Sequence, residues 1–278
     1  MKLCRFQLRE LAAKDARVAS SAEDPARPRR GIIEGEVVFE IRGDFWDGRE
    51  RTGRQWPGDQ VKFLAPVSPS KILCIGRNYH EHIKEFSNPV PKQPLLFLKP
   101  PSSIIASEEA IVIPRISNYV GYEGELAVII GRRCRHLGPD DDVLPYILGY
   151  TPLNDVTARD LQKIDTQWGR AKGFDTFCPL GPVLETEHPS ADTRVETIVN
   201  GVKKQSERIA EMIFSIDVII NWISQVMTLE PGDVIATGTP SGVGRYREPP
   251  VYLKPGDTVR IEIDQVGVQE SPVIAEPA

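Results

Sequence analysis

Three acidic residues have the types and positions that could hold a metal ion. Glu123 and Glu125 open the apolar run YEGELAVIIG (122–131), and Asp155 follows the apolar run that ends in YTPLN. Side chains two apart on a strand share a face, so the glutamates would lie about 7 Å apart and repel each other without a cation. Three carboxylates without histidine or cysteine suit Mg²⁺ or Mn²⁺ better than zinc. The alternative, which the pair alone would favour, is an edge strand with two solvated glutamates.

A histidine and a glutamate three residues apart could form a proton-transfer pair. GRNYHEHIKEF (76–86) contains two predicted helical turns, on which His82 and Glu85 would be neighbours. A carboxylate that holds an imidazole raises its basicity and fixes its tautomer. The alternative is an ordinary surface ion pair. A histidine-rich metal site is rejected, because the two histidines outside this segment lie in polar, loop-like contexts.

Two further segments could bind the anionic end of a substrate. WGRAKGFDTFCPLGP (168–182) places Lys172 between small residues. ATGTPSGVG (236–244) could offer backbone N–H groups and hydroxyls to a carboxylate. The second segment lacks the lysine and the spacing of a phosphate-binding loop, which argues against a nucleotide site. A purely structural turn is the alternative there.

The elements that must position these residues are predicted to be mostly short strands. From Lys71 onward, apolar runs bounded by glycine or proline recur, and the 24 prolines and 22 glycines indicate long loops. Three segments carry helical signals: 79–86, 157–164 and 215–229. Thr157 and Ser215 are the expected N-caps of the last two. The pattern therefore favours a mostly-β fold with a few helices, in the α+β class.

Residues 1–65 are predicted to form a small β-rich domain, and residues 66–278 a larger one. GIIEGEVVFEI (31–41) predicts a hairpin that turns at Glu34-Gly35. The polar, glycine-rich segment DGRERTGRQWPGD (47–59) predicts a loop. Proline and serine in APVSPS (65–70) mark the boundary between the two domains.

The composition argues against several classes of function. The chain has 278 residues, of which 26% are charged, and a net charge of −5. It shows no basic footprint for nucleic acid or an anionic membrane. No window approaches the ~18 apolar residues of a membrane span, and the charged N-terminus lacks a signal-peptide core. The four cysteines are far apart, so we expect a cytoplasmic protein with reduced thiols.

Seven segments, taken in order, resemble the fumarylacetoacetate hydrolase family. They are GRNYHEHIKE, PLLFLKP, YEGELAVIIG, LNDVTARDLQ, RAKGFDTFCPLGP, MIFSI and LEPGDVIATGTPSGVG. The chain looks closest to the branch of acylpyruvases, oxaloacetate decarboxylases and 2-hydroxyhepta-2,4-diene-1,7-dioate isomerases, over about residues 71–265. The resemblance implies the family's mixed β-sandwich roll, usually a homodimer, with residues 1–65 as an N-terminal extension.

The resemblance also implies a role for each candidate residue. Glu123, Glu125 and Asp155 match the family's metal-binding carboxylates, with Mg²⁺ or Mn²⁺ as the cofactor. His82 and Glu85 match the lid pair that activates water or moves a proton. The remaining matches are to residues of the substrate pocket: the lysine Lys172 and the substrate contacts Arg77, Tyr79, Gln162 and Thr239.

These assignments predict an enzyme that acts on a small 2-oxo or 2,4-dioxo acid or its enol. A metal-stabilised enolate would serve C–C bond hydrolysis, decarboxylation and isomerisation alike, and the sequence leaves these three open. One other reading is a catalytically silent member that binds small carboxylic acids or a partner. Intact His82, Glu85 and Lys172 argue against it. Another is a metal-dependent hydrolase of esters or phosphates, which the lack of a histidine-rich or dinuclear site argues against.

Overall fold

The computed structural model describes residues 1–9, 24–85 and 89–277, and most of the ordered elements are strands. The strands are β1 (Lys2–Leu8), β2 (Arg29–Glu34), β3 (Val37–Ile41), β4 (Arg51–Pro57), β5 (Val61–Leu64), β6 (Ile72–Gly76), β7 (Leu95–Lys99), β8 (Ile104–Ile105), β9 (Ile111–Ile113), β10 (Val120–Gly121), β11 (Gly124–Ile130), β12 (Ile147–Asn154), β13 (Thr157–Ala158), β14 (Cys178–Pro179), β15 (Val183–Glu185), β16 (Arg194–Val199), β17 (Val202–Arg208), β18 (Val234–Ala236), β19 (Thr258–Ile263) and β20 (Gly267–Ala275). The helices of the described ranges are α1 (His80–Glu85), α2 (Arg159–Ile164), α3 (Gly169–Lys172) and α4 (Ile216–Val226). The mostly-β class with few helices is confirmed.

The largest sheet joins strands from both ends of the chain. Its order is β4-β3-β2-β1-β15-β12-β11-β18-β6-β7, and β5 also pairs with β1. β1 connects the N-terminal strands to the rest of the sheet. It pairs antiparallel with β2 and β5 and, through Lys2–Cys4, with β15. The strands of residues 1–65 therefore share one hydrogen-bonded sheet with the strands that carry the predicted site.

A second sheet, in the order β17-β16-β19-β20-β9, packs against the first. Every residue of β11 is buried. Leu126, Val128 and Ile130 enter the main core with the apolar face of α4, whereas Ala127 and Ile129 enter a core on the other face of the sheet. Burial on both faces explains why the run after Glu125 is continuously apolar instead of alternating.

The predicted hairpin in residues 31–41 is confirmed, and the predicted loop at 47–59 is wrong. β2 and β3 pair through Glu34 and Val37, and Gly35 sits in the turn with a φ of 59°. Within 47–59, residues Arg51–Pro57 form β4, which pairs with β3. β4 is an edge strand of the sheet and is mostly exposed, so it needs no apolar alternation, which is the signal that the sequence lacked.

Helices form in all three predicted segments, and one of the two expected N-caps is wrong. Ser215 caps α4, since its hydroxyl accepts a hydrogen bond from the Val218 N–H at 3.4 Å. Thr157 is not an N-cap, because it lies in β13 and its hydroxyl donates to the Asp155 carbonyl at 3.0 Å. The N-cap position of α2 is Ala158, without a side-chain cap. The last residue of the predicted helix 79–86 and residues 10–23 of the predicted N-terminal domain lie outside the described residues.

Two sequence expectations concern the chain as a whole. Cys4, Cys74, Cys134 and Cys178 are all buried and none forms a disulfide. Burial raises the pKa of the Cys4 and Cys178 thiols to about 12. No helix of the described ranges is long and apolar enough to cross a membrane.

Candidate active site

The three carboxylates predicted to bind a metal converge on one point. Glu123, Glu125 and Asp155 each place one oxygen within 4.8 Å of the others, and all three side chains are buried. They meet because β11 begins opposite the end of β12, with Gly124 paired to Asn154. The Asp155 N–H donates to the Glu123 carbonyl at 2.8 Å, which ties the two strand ends together.

Gly124 is needed for the close approach of the second sheet. A Cβ built there would lie 2.2 Å from Thr197 Oγ1, on β16. The Gly124 N–H instead donates to Gln205 Oε1, on β17, at 3.0 Å. The glycine between the two glutamates therefore lets a side chain of the other sheet reach the backbone beneath the carboxylates.

Buried cations surround two of the three carboxylates. Lys172 Nζ donates to Glu123 Oε2 at 2.9 Å and also to Asp155 Oδ2. Lys99 Nζ donates to Asp155 Oδ1 at 2.6 Å, and Arg159 Nη1 lies 2.6 Å from Glu123 Oε1. A buried ion pair offsets part of the cost of taking each charge out of water, so these cations are the counter-charges of Glu123 and Asp155.

Glu125 differs from the other two carboxylates in its electrostatic environment. Burial disfavours the charge of Glu123, but Arg159 and Lys172 hold its pKa well below the usual range. Burial raises the pKa of Glu125 well above its usual value, and repulsion from Asp155 and Glu123 raises it further. Glu125 forms no ion pair with any described residue, and its Oε2 accepts one hydrogen bond, from the Gly238 N–H at 2.8 Å.

The donor set fits a divalent cation. The three converging oxygens are hard ligands of the kind that Mg²⁺ and Mn²⁺ prefer. Glu125, which has no ion-pair partner in the part of the chain that the structure describes, is the carboxylate whose charge a cation at this point would stabilise.

One cleft is lined by the three carboxylates and by most of the other predicted site residues. Those residues are Arg77, His82, Gln162, Lys172 and Thr239. Two predicted residues do not line it. Glu85 contacts His82 instead, and Tyr79 is fully buried, where burial and Glu125 raise the pKa of its hydroxyl well above the usual value.

His82 and Glu85 form the predicted pair on α1. His82 Nδ1 lies 3.2 Å from Glu85 Oε2, and the imidazole is buried. The other oxygen of Glu85 accepts a hydrogen bond from the Gly242 N–H at 2.7 Å. The carboxylate therefore connects the imidazole to the glycine-rich turn at 237–244. Asn78 holds the start of this segment in place, since its amide donates to the Thr237 carbonyl at 2.8 Å.

The glycine-rich turn is tied to the carboxylate strand by Gln205. Its Nε2 donates to Thr239 Oγ1 and to the Pro240 carbonyl, both at 2.8 Å. The Thr239 hydroxyl donates in turn to the Gly124 carbonyl at 2.9 Å. Because Gln205 Oε1 already accepts from the Gly124 N–H, one buried amide fixes the turn and the strand relative to each other.

Sequence reasoning missed Lys99, Arg159 and Gln205. The sequence contained a signal for the first two of these. Lys99 ends the apolar run PLLFLK, and Arg159 lies four residues after Asp155, so both charges had to be buried near a counter-charge. Gln205 gave no such signal. It lies in the polar strand VKKQSER and reaches the site only because the second sheet packs across β11.

Two family models match successive parts of the chain. Residues 71–274 match the model described as fumarylacetoacetate (FAA) hydrolase C-terminal, and residues 1–66 match the model described as Rv2993c-like, N-terminal. Among curated proteins, the mitochondrial oxaloacetate tautomerase Fahd2a of Rattus norvegicus is 46% identical over 217 residues, which are 76% of this chain and 69% of that protein.

Solved structures match the whole chain. The 2-hydroxyhepta-2,4-diene-1,7-dioate isomerase from Mycobacterium marinum superposes with a TM-score of 0.85 and 39% identity, covering 100% of both chains. The maleylpyruvate hydrolase from Sphingobium sp. SYK-6, solved with manganese(II) and pyruvate, superposes with a TM-score of 0.76 and 28% identity, also over 100% of both chains.

Proposed function

The chain belongs to the fumarylacetoacetate hydrolase family, and from that membership we propose that it is a divalent-metal-dependent enzyme of small 2-oxo acids and their enols. The observation that carries the proposal is the convergence of Glu123, Glu125 and Asp155 in a cleft that His82 and Lys172 also line. The reaction we propose is proton transfer next to the 2-oxo group, which is a keto–enol or double-bond isomerisation. The name of the rat relative, an oxaloacetate tautomerase, supports this choice.

Mg²⁺ or Mn²⁺ is the proposed cofactor, held by Glu123, Glu125 and Asp155. A divalent cation at this point supplies Lewis-acid stabilisation of the negative charge that develops on an enolate. The manganese in the maleylpyruvate hydrolase structure supports a cation of this class.

The residues around the carboxylates would bind and orient the acid. Thr239 would present the backbone of its turn to the acid, since its hydroxyl already donates to the Gly124 carbonyl, and Gln162 is fixed by a hydrogen bond from Arg159 Nη1 at 3.2 Å. Lys172 places a buried ammonium group in the same cleft. Groups held in this way lower the entropic cost of aligning a small, flexible acid.

His82 would move the proton. Glu85 holds Nδ1, so Nε2 is the ring nitrogen that would take a proton from the substrate carbon or oxygen and return it to the other. The Gly242 N–H keeps Glu85 oriented towards the imidazole. The intact pair argues against a catalytically silent protein, which would have no use for it.

The test is an assay of the purified protein with oxaloacetate enol, an acylpyruvate and the heptadienedioate, with Mg²⁺ or Mn²⁺ and after chelation. We expect isomerisation of at least one acid, lost on chelation and restored by metal. The Glu123→Gln variant should lose turnover, whereas Glu108→Gln, an exposed glutamate outside the cleft, should keep it. Turnover that is unaffected by chelation would contradict the proposal.

We also propose that the chain forms a homodimer, as the family resemblance implies. The chain has a mass of 31.0 kDa. Light scattering on the protein as it elutes from a size-exclusion column should give twice this mass. A mass equal to that of one chain, measured at micromolar protein concentration, would contradict the dimer.

A further inference from the structure

Four lysine and arginine side chains line the cleft, and two of them have no acidic partner among the described residues. Lys172 and Arg159 are paired with Glu123 and Asp155. Arg77 and Arg245 line the same cleft, and neither guanidinium forms a hydrogen bond or an ion pair with a described residue. The protein carboxylates of the cleft thus leave two positive charges unmatched.

Arg245 is carried by a turn that packing holds in place. It lies in a 3₁₀ turn, Gly244–Tyr246. The Val251 N–H donates to the Gly244 carbonyl at 2.9 Å, and a Cβ at Gly244 would lie 1.8 Å from the Val251 carbonyl oxygen. The guanidinium of Arg245 lies 5.5 Å from the centre of the Tyr246 ring, which limits its range of positions. The charge is therefore preorganised at the cleft.

Arg77 lines the same cleft and directly follows Gly76, the last residue of β6. Its φ is 58°, in the left-handed region that side chains other than glycine seldom adopt. Strained positions of this kind persist where the surrounding structure determines them, and they cluster at ligand sites. Both arginines are half-buried, so each loses part of its hydration, and no carboxylate within residues 1–9, 24–85 and 89–277 pairs with either.

We infer that Arg245, together with Arg77, binds the distal carboxylate of the substrate, so that the enzyme prefers 2-oxo dicarboxylic acids to 2-oxo monocarboxylic acids. The inference rests on the proposed function, in which the 2-oxo acid end lies at the three carboxylates. A substrate with a neutral or apolar tail would leave both guanidinium groups partly desolvated and unpaired. A substrate with a second carboxylate would accept charge-assisted hydrogen bonds from both. Arg245 is thereby a specificity-determining residue.

The test uses two acids that differ only in the distal group. In 2-oxobutyrate a methyl group replaces the distal carboxylate of oxaloacetate. Calorimetric titration of the Mg²⁺-loaded protein should show at least tenfold tighter binding of oxaloacetate. Arg245→Gln should reduce that preference about ten- to a hundredfold, the range for a hydrogen bond to a charged group, with the affinity for 2-oxobutyrate unchanged.

A matched control comes from a similar arginine outside the cleft. Arg132 lies over the ring of Tyr146 at 5.7 Å and does not line the cleft, so Arg132→Gln should keep the full preference. Arg245→Lys should retain part of it.

The outcomes separate the inference from the proposed function. If the wild-type protein binds both acids equally well, or if Arg245→Gln weakens both equally, the inference is overturned and the proposed function stands. If the wild-type protein binds neither acid in the presence of metal, both are overturned.

Discussion

At the scale of single residues, the site is defined by which buried charges have partners. Glu123 and Asp155 are each matched by cationic side chains, and Glu125 is matched by none of the described residues. In the metal-free protein, the charge of Glu123 therefore contributes to stability through its ion pairs, whereas the charge of Glu125 is destabilising.

The two glutamates should respond oppositely to the same substitution. In the presence of a chelator, Glu123→Gln leaves the buried Arg159 without a carboxylate and removes one of the two carboxylates that pair with Lys172, so it should lower the free energy of unfolding by about 3–5 kcal/mol. Glu125→Gln removes a charge that burial and repulsion disfavour, and should leave that free energy unchanged or raise it. Urea denaturation of both variants in EDTA measures the difference. Equal destabilisation by the two substitutions would refute this assignment of partners.

His82 should be essential for proton transfer and dispensable for the metal. His82→Ala removes the imidazole that Glu85 orients and should lower kcat by about 10²–10⁴-fold, the usual contribution of a general base. Affinity for Mn²⁺ should not change.

His80 supplies the control for this substitution. It lies on the same helix but is exposed and does not line the cleft, so His80→Ala should keep wild-type kcat. An undiminished kcat in His82→Ala would remove the imidazole from the mechanism.

At the scale of elements, the site depends on the distance between two sheets. Gly124→Ala would place a methyl group against Thr197 Oγ1 and should cost about 1–3 kcal/mol of stability, the usual range for overpacking. It should also weaken metal binding, because relief of the clash moves Glu123 and Glu125 apart. Thermal unfolding and Mn²⁺ titration measure the two effects.

Gly169→Ala is the matched control, since a Cβ at Gly169 meets no atom within 4 Å and the residue begins a helix. It should be neutral in both measurements. Adding Thr197→Ala to Gly124→Ala should recover part of the lost stability. A Gly124→Ala protein with wild-type stability and metal affinity would show that the close approach is not required.

The sequence predicted the elements that carry strong local signals. The apolar run after Glu125 and the helical repeat after Ser215 were sufficient to predict β11 and α4, because each pattern depends only on neighbours along the chain. β4 could not be predicted, since an exposed edge strand lacks apolar alternation. Gln205 could not be predicted either, because its partners at Gly124 and Thr239 are 81 and 34 residues away.

At the scale of the whole molecule, β1 connects the strands of residues 1–65 to the sheet that carries the site. Leu3 is fully buried, and it is paired with Ile32 on one side and Leu184 on the other. The division of the chain near residue 66 stays a prediction, which we extend by proposing that the two parts unfold together.

Leu3→Ala should therefore destabilise the entire chain. Truncation of a buried leucine costs about 2–5 kcal/mol, and we expect one unfolding transition displaced as a whole. Intrinsic fluorescence and circular dichroism should report the same midpoint. Leu144→Ala, at a side chain that is 50% exposed, should have little effect. Two separate transitions, of which only the first moves, would show that the parts unfold independently.

Metal binding by the three carboxylates is the central claim, and a calorimetric titration of Mn²⁺ into chelator-treated protein tests it most directly. The geometry of Glu123, Glu125 and Asp155 predicts one ion bound per chain, with binding abolished in Asp155→Asn and retained in the exposed control Asp140→Asn. An Asp155→Asn protein that binds Mn²⁺ with wild-type affinity, or a wild-type protein that binds none, would contradict the account.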